Sequence, residues 1–131
     1  HHKNQEKLEL ELPLPPSINR LYVYNKYTHQ KVYKREGTEY LQKATILVKQ
    51  FVRKNSLSPF SDYFYLDLVF YLSRKNSDSH NYKKLLMDVL EHGGLVVNDC
   101  FIMDRTQSVF VDKENPRVLL TITKEGVIPL F

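Results

Sequence analysis

The chain has 131 residues, 42% of them apolar and 26% charged, the proportions of an ordinary folded domain with room for one core. A single cysteine excludes a disulfide framework and a four-thiolate zinc site, and four glycines in no phosphate-loop pattern exclude the common nucleotide-binding loops. Nineteen basic residues against fifteen acidic ones leave a formal charge of +4, a weak pointer to an acidic partner.

His1 and His2 are set aside as a tag remnant, and residues 1–6 as a leading segment outside the fold. Lys7 to Leu12 alternates apolar and charged residues, the pattern of a half-buried strand. Pro13, Pro15 and Pro16 then stop any ladder. Arg20 to Tyr33 reads as extended segments around a turn near Asn25 to His29. Thr38 to Lys54 is predicted helical, because Leu41, Ala44, Leu47, Val48, Phe51 and Val52 recur at steps of three and four. Lys43, Lys49, Arg53 and Lys54 fall off that stripe and should form a basic outer face. Tyr63 to Leu72 is the best strand, rich in aromatic and branched residues. It is interrupted by Asp67 and too short to span a bilayer.

Ser73 to Ser77 is a polar loop, and a second helix runs from about Ser79 to His92 with Tyr82, Leu85, Leu86, Val89 and Leu90 on its apolar face. Gly93 and Gly94 end it. Leu95 to Val97 is a short apolar segment stopping at Asn98 and Asp99. Ile102 to Val111 and Arg117 to Lys124 then flank the turn from Asp112 to Pro116 as an expected hairpin. This order predicts one α/β (α+β) domain over residues 7–124, a single mixed sheet with two main helices packed on it, and a tail at 125–131. The expected setting is soluble, reducing and cytoplasmic, with no membrane contact and no nucleotide cofactor.

The positive charge is local. Arg20 to Lys54 holds nine bases and two acids, a net +7, whereas Val89 to Phe131 holds four bases and six acids, a net −2. Such asymmetry suits a surface facing phosphates, since each one neutralised releases counterions. Tyr22, Tyr24, Tyr27, Tyr33 and Tyr40 fall inside the basic segment and suit stacking on bases. They suit packing across strands equally well.

The run Asp78-Ser79-His80-Asn81-Tyr82-Lys83-Lys84 joins the central strand to the second helix. His80, Lys84 and Asp88 recur every four residues and share a helix face, bordered by Asn81. A strand-helix-strand connection would let Asp78 and Asp99 meet across one pocket, where two carboxylates and a third ligand suit Mg²⁺ or Mn²⁺. Plainer roles fit the same residues: Asp78 as a helix cap, the lysine face as solvated surface, Asp99 as a turn residue.

Taken together, these residues carry a family likeness. The chain resembles the RusA-type Holliday junction resolvases, small phage and prophage endonucleases that act as dimers on four-way DNA junctions. Leu12-Pro13-Leu14-Pro15-Pro16-Ser17 followed by Asn19-Arg20 is similar to the family's proline-rich opening. Asp78-x-His80-Asn81-x-x-Lys84, with Asp88 beyond it, resembles the central DxDNxxK element, Asn98-Asp99 the acidic pair, and Thr121-Ile122-Thr123 the closing strand.

The resemblance implies a homodimeric endodeoxyribonuclease of DNA recombination and repair, nucleoid-associated while acting, with Mg²⁺ or Mn²⁺ as cofactor. It makes Asp78, Lys84 and Asp99 catalytic, with Asp78, His80 and Asp99 holding the metal and Asn81 and Asp88 supporting them. DNA contacts are expected from Asn19, Arg20, Lys26, Lys31, Lys34, Arg35, Arg74 and Lys75. His80 stands where the family has a second aspartate, which removes a negative charge and offers nitrogen to a metal that prefers oxygen. That departure leaves a second reading, a junction-binding protein with weak or lost catalysis.

Overall fold

The computed structural model describes residues 7–16, 22–75 and 80–123. Strands β1 (Lys7–Pro13), β4 (Phe64–Leu72), β5 (Ile102–Val111) and β6 (Arg117–Thr123) form a four-stranded sheet in the order β1-β6-β4-β5. A small hairpin pairs β2 (Tyr22–Tyr24) with β3 (Lys31–Tyr33). The helices are α1 (Arg35–Lys54) and α2 (His80–His92), followed by the short 3₁₀ turn η1 (Asp99–Phe101). This is the expected mixed sheet with two main helices.

Strand β4 sits inside the sheet because its apolar residues alternate without a break. Phe64, Leu66, Leu68, Phe70 and Leu72 are all 0–1% exposed, and one strand face can be buried that completely only if a second layer covers it. Tyr40, Ala44 and Val48 of α1 and Tyr82, Leu85, Leu86, Val89 and Leu90 of α2 belong to that same core, with Leu10 and Leu12 of β1 and Val118, Leu120 and Ile122 of β6.

The opposite face is half-exposed and polar-aromatic. Arg105 stacks on Tyr65 at 3.8 Å and Arg117 on Tyr71 at 3.7 Å. Asp67 accepts from Arg105 Nε and Nη2 at 2.7 and 3.0 Å and from Gln107 Nε2 at 2.9 Å. A charged residue in the middle of the best strand is thus satisfied by the strand beside it.

Three expectations are corrected. Strands β5 and β6 do not form a hairpin: β4 lies between them, parallel to β5 and antiparallel to β6. Both strands gain more by flanking the most apolar strand than by pairing with each other, and the link from Asp112 to Pro116 crosses over it. Arg117 donates to Asp112 Oδ2 at 2.9 Å in that link and holds the carboxyl below its usual range.

The segment Leu95 to Val97 does not lie beside β4. Val96 bridges Phe60 instead, with Phe60 N donating to the Leu95 carbonyl at 2.8 Å and Val97 N to the Phe60 carbonyl at 3.0 Å. Helix α1 begins at Arg35 rather than Thr38, its first turn laced by the Arg35–Glu39 pair at 2.8 Å. Lys43, Lys49, Arg53 and Lys54 are exposed on it as expected. No helix among the described residues is long and apolar enough to cross a membrane.

Candidate active site

The best-defined candidate residue is Asp99, and the chain reaches it along a path fixed at each step. Gly94 leaves α2 with φ +84°, a left-handed backbone that favours glycine. Leu95 and Val96 are buried and tied to Phe60. Asn98 then caps η1, its Oδ1 accepting from Cys100 N at 2.9 Å. Phe101 closes the turn edge-on against Tyr63, centroids 5.5 Å apart.

Asp99 N donates to Glu91 Oε1 at 2.9 Å. A helix side chain therefore holds the backbone of the residue whose carboxylate is exposed to solvent. Such a bond contributes about 0.5–1.5 kcal/mol and restricts where the Asp99 side chain can start from. The residue sequence reasoning missed is this Glu91. It lies eight positions before Asp99, across a turn whose geometry no local motif announces.

Lys84 is exposed on α2 and Asp88 is half-buried there. Lys84 and Glu91 are two turns apart, about 10 Å along the helix axis. Because residues 95–97 run beside Phe60, ahead of β4, Asp99 stands near the C-terminal turn of α2 and Lys84 nearer its start. Lys83 pairs with Asp104 of β5 at 3.3 Å, a second tether between α2 and the segment that follows Asp99. His80 and Asn81 open α2, but their side chains lie outside the described residues, as do Asp78, Asn19 and Arg20.

The basic candidates are distributed over neighbouring elements. Lys26 is exposed at the β2–β3 tip, and Lys31 begins β3 opposite Tyr24. Lys34 and Arg35 are exposed at the start of α1, while Arg74 and Lys75 are exposed just past β4. Tyr40 is not available to bases. It is 7% exposed, and its hydroxyl donates to the Pro13 carbonyl at 2.7 Å; burial drives its pKa upward.

Among the described residues no three His, Cys, Asp or Glu side chains form a metal-binding group. The chemistry of the candidate set still fits a hard divalent cation, because Asp99 presents free-facing carboxylate oxygens of the type Mg²⁺ and Mn²⁺ take.

The described residues thus form a small α+β domain with a basic half and an exposed, backbone-anchored aspartate. Residues 13–123, most of the chain, match the model of the family described as Endodeoxyribonuclease RusA, and the chain belongs to that family. Membership implies Holliday junction resolvase activity on branched DNA. No curated protein matches the chain.

Proposed function

We propose that the protein is a homodimeric, Mg²⁺- or Mn²⁺-dependent endonuclease of phage or prophage origin that resolves four-way DNA junctions by paired symmetric nicks. Carrying the proposal is the exposed Asp99, whose backbone N–H is held by Glu91, within a chain that belongs to the RusA family. Asp99 would hold the metal. The resemblance adds Asp78 and His80, but His80 opens α2 about 16 Å along the helix axis from the Glu91 that ties Asp99, so His80 and Asp99 do not share one ion within a single chain. A bound divalent cation would supply a water of lowered pKa and positive charge beside the phosphoryl group.

The chain's own groups do the rest. Lys84, exposed on α2, brings an ammonium to the phosphoryl oxygens or the leaving oxygen, where charge builds in the transition state. Asn81 and Asp88 orient the ligands. Lys26, Lys31, Lys34, Arg35, Arg74 and Lys75, with Asn19 and Arg20, hold the strands by their phosphates. Val109, Phe110 and Val111 are about half-exposed on the edge strand β5, a surface of the kind that a second subunit covers. Two-fold symmetry then gives two sites for two opposed strands.

The test compares wild type with Asp99→Asn on a synthetic four-way junction in each metal. Nicking that requires metal and falls at least about a hundredfold in the variant is expected, the scale on which losing one catalytic group acts. Wild type that never nicks would remove the enzymatic reading. His80 favours the second reading, a junction binder with weak catalysis, and His80→Asp separates the two. A gain in Mg²⁺-supported rate identifies a metal site weakened by imidazole; tight binding with no cleavage by either protein identifies a binder.

A further inference from the structure

The tip of the β2–β3 hairpin carries the most exposed aromatic side chain of the described residues. Tyr27 is 94% exposed, which for a large ring forgoes most of the stabilisation its burial would bring. Nothing in the tip's architecture requires a tyrosine there. The turn is built by its neighbour: Asn25 Oδ1 accepts from Tyr27 N at 2.8 Å and from Thr28 N at 3.2 Å. The Asn25 carbonyl accepts from His29 N at 2.9 Å, and Asn25 N donates to the Gln30 carbonyl at 2.8 Å. His29 adopts φ +56° to close the turn.

The backbone under Tyr27 is therefore organised while its side chain has no protein partner layer above it. Lys26, also exposed, stands next to it, and Lys31 begins the returning strand. A bare ring on a pre-organised turn, next in sequence to the exposed Lys26, matches what a single-stranded or unpaired base asks of a protein: a stacking surface next to phosphate-binding charge. Fully paired duplex has its bases stacked on one another and offers a ring no such face. The point where four strands exchange does.

We infer that Tyr27 is a stacking probe that engages a base at the branch point and thereby selects junctions over duplex. The inference rests on the junction-resolving reading above and names the side chain that supplies its selectivity. Because Tyr27 packs against little, replacing it should leave folding unchanged, so a binding effect can be read directly.

The experiment measures binding of the full chain to a four-way junction and to duplex of the same sequence. Calcium replaces the supporting metal, and 2-aminopurine replaces a base at the branch point. Wild type, Tyr27→Ala and Tyr27→Phe are compared. Expected are a loss of at least about fivefold in junction affinity for Tyr27→Ala, the lower end for losing one stacked base, and no loss for duplex. Tyr27→Phe should retain wild-type affinity, and the 2-aminopurine quenching seen with wild type and Tyr27→Phe should be absent with Tyr27→Ala. If wild type prefers the junction and Tyr27→Ala prefers it equally, or if the phenylalanine and alanine variants fall together, the stacking role is overturned while the resolvase reading stands. If wild type itself binds junction and duplex alike, there is no binding selectivity for Tyr27 to supply and the stacking role is overturned, while the resolvase reading falls only if wild type fails to nick the junction.

Discussion

Tyr40 sits in the same basic, tyrosine-rich stretch as Tyr27, yet the fold gives the two opposite roles. Its ring fills the space between α1 and β1, and its hydroxyl spans to the Pro13 carbonyl. Tyr40→Phe keeps the ring and loses the bond, so a stability loss of about 1 kcal/mol is expected by chemical denaturation. The pH dependence has a definite sign. Burial raises the phenol's pKa above its unfolded value, so the stabilisation is fully present below about pH 10 and is lost as pH rises toward the folded value. Wild type should therefore lose more Tm than Tyr40→Phe when melts above about pH 10 are compared with melts at neutral pH.

Glu91 acts through Asp99 rather than on DNA, and its variants separate hydrogen bonding from charge. Glu91→Ala removes the acceptor for Asp99 N and should weaken Mn²⁺ affinity about tenfold to a hundredfold, the range for disturbing a group that orients a ligand. Glu91→Gln keeps an oxygen in place and should remain close to wild type. Metal titration followed by electron paramagnetic resonance checks both without relying on turnover. Equal loss in the two variants would point to charge instead.

At the scale of elements, the contact between the helices depends on a glycine. A methyl group at Gly93 would run into the Val48 side chain of α1, and both are buried. Gly93→Ala should cost about 1–3 kcal/mol through overpacking, read as a lowered Tm. The terminating glycine pair was visible in the sequence as a helix stop, but its packing duty depends on a residue 45 positions away.

The same division runs through the fold. Helices α1 and α2, strand β1, the interior strand β4 and the turn at Asn25 were legible, because periodicity and turn chemistry are local signals. The partner of β5 was not, since a crossover over β4 leaves no mark in the turn from Asp112 to Pro116. The position of Asp99 escaped for a related reason: the apolar residues Leu95 to Val97 fit a strand beside β4 as well as they fit the bridge to Phe60. Of the candidate site, the residue types and their spacing could be read in the chain, whereas the Glu91 tie and the Lys83–Asp104 pair arise only once α2 is docked.

For the whole molecule, charge and chemistry occupy different regions. The net +7 from Arg20 to Lys54 is spent on the hairpin and α1, and the acidic candidate Asp99 lies beyond α2. Binding to DNA should accordingly be strongly salt-dependent, with log affinity falling linearly against log salt. Lys26→Ala should weaken junction and duplex binding alike and reduce that slope by about one, in contrast to the selectivity effect expected at Tyr27. Fluorescence anisotropy across a salt series measures both.

The most direct measurement of the central claim uses a four-way junction labelled in turn on each strand, incubated with the full-length protein in Mg²⁺ and in Mn²⁺, with the products mapped to the nucleotide. Paired nicks at symmetric positions on two opposed strands, absent when the metal is chelated and absent in Asp99→Asn, are the predicted result. An intact junction in both metals, or cuts at unrelated positions that persist in Asp99→Asn, would contradict it.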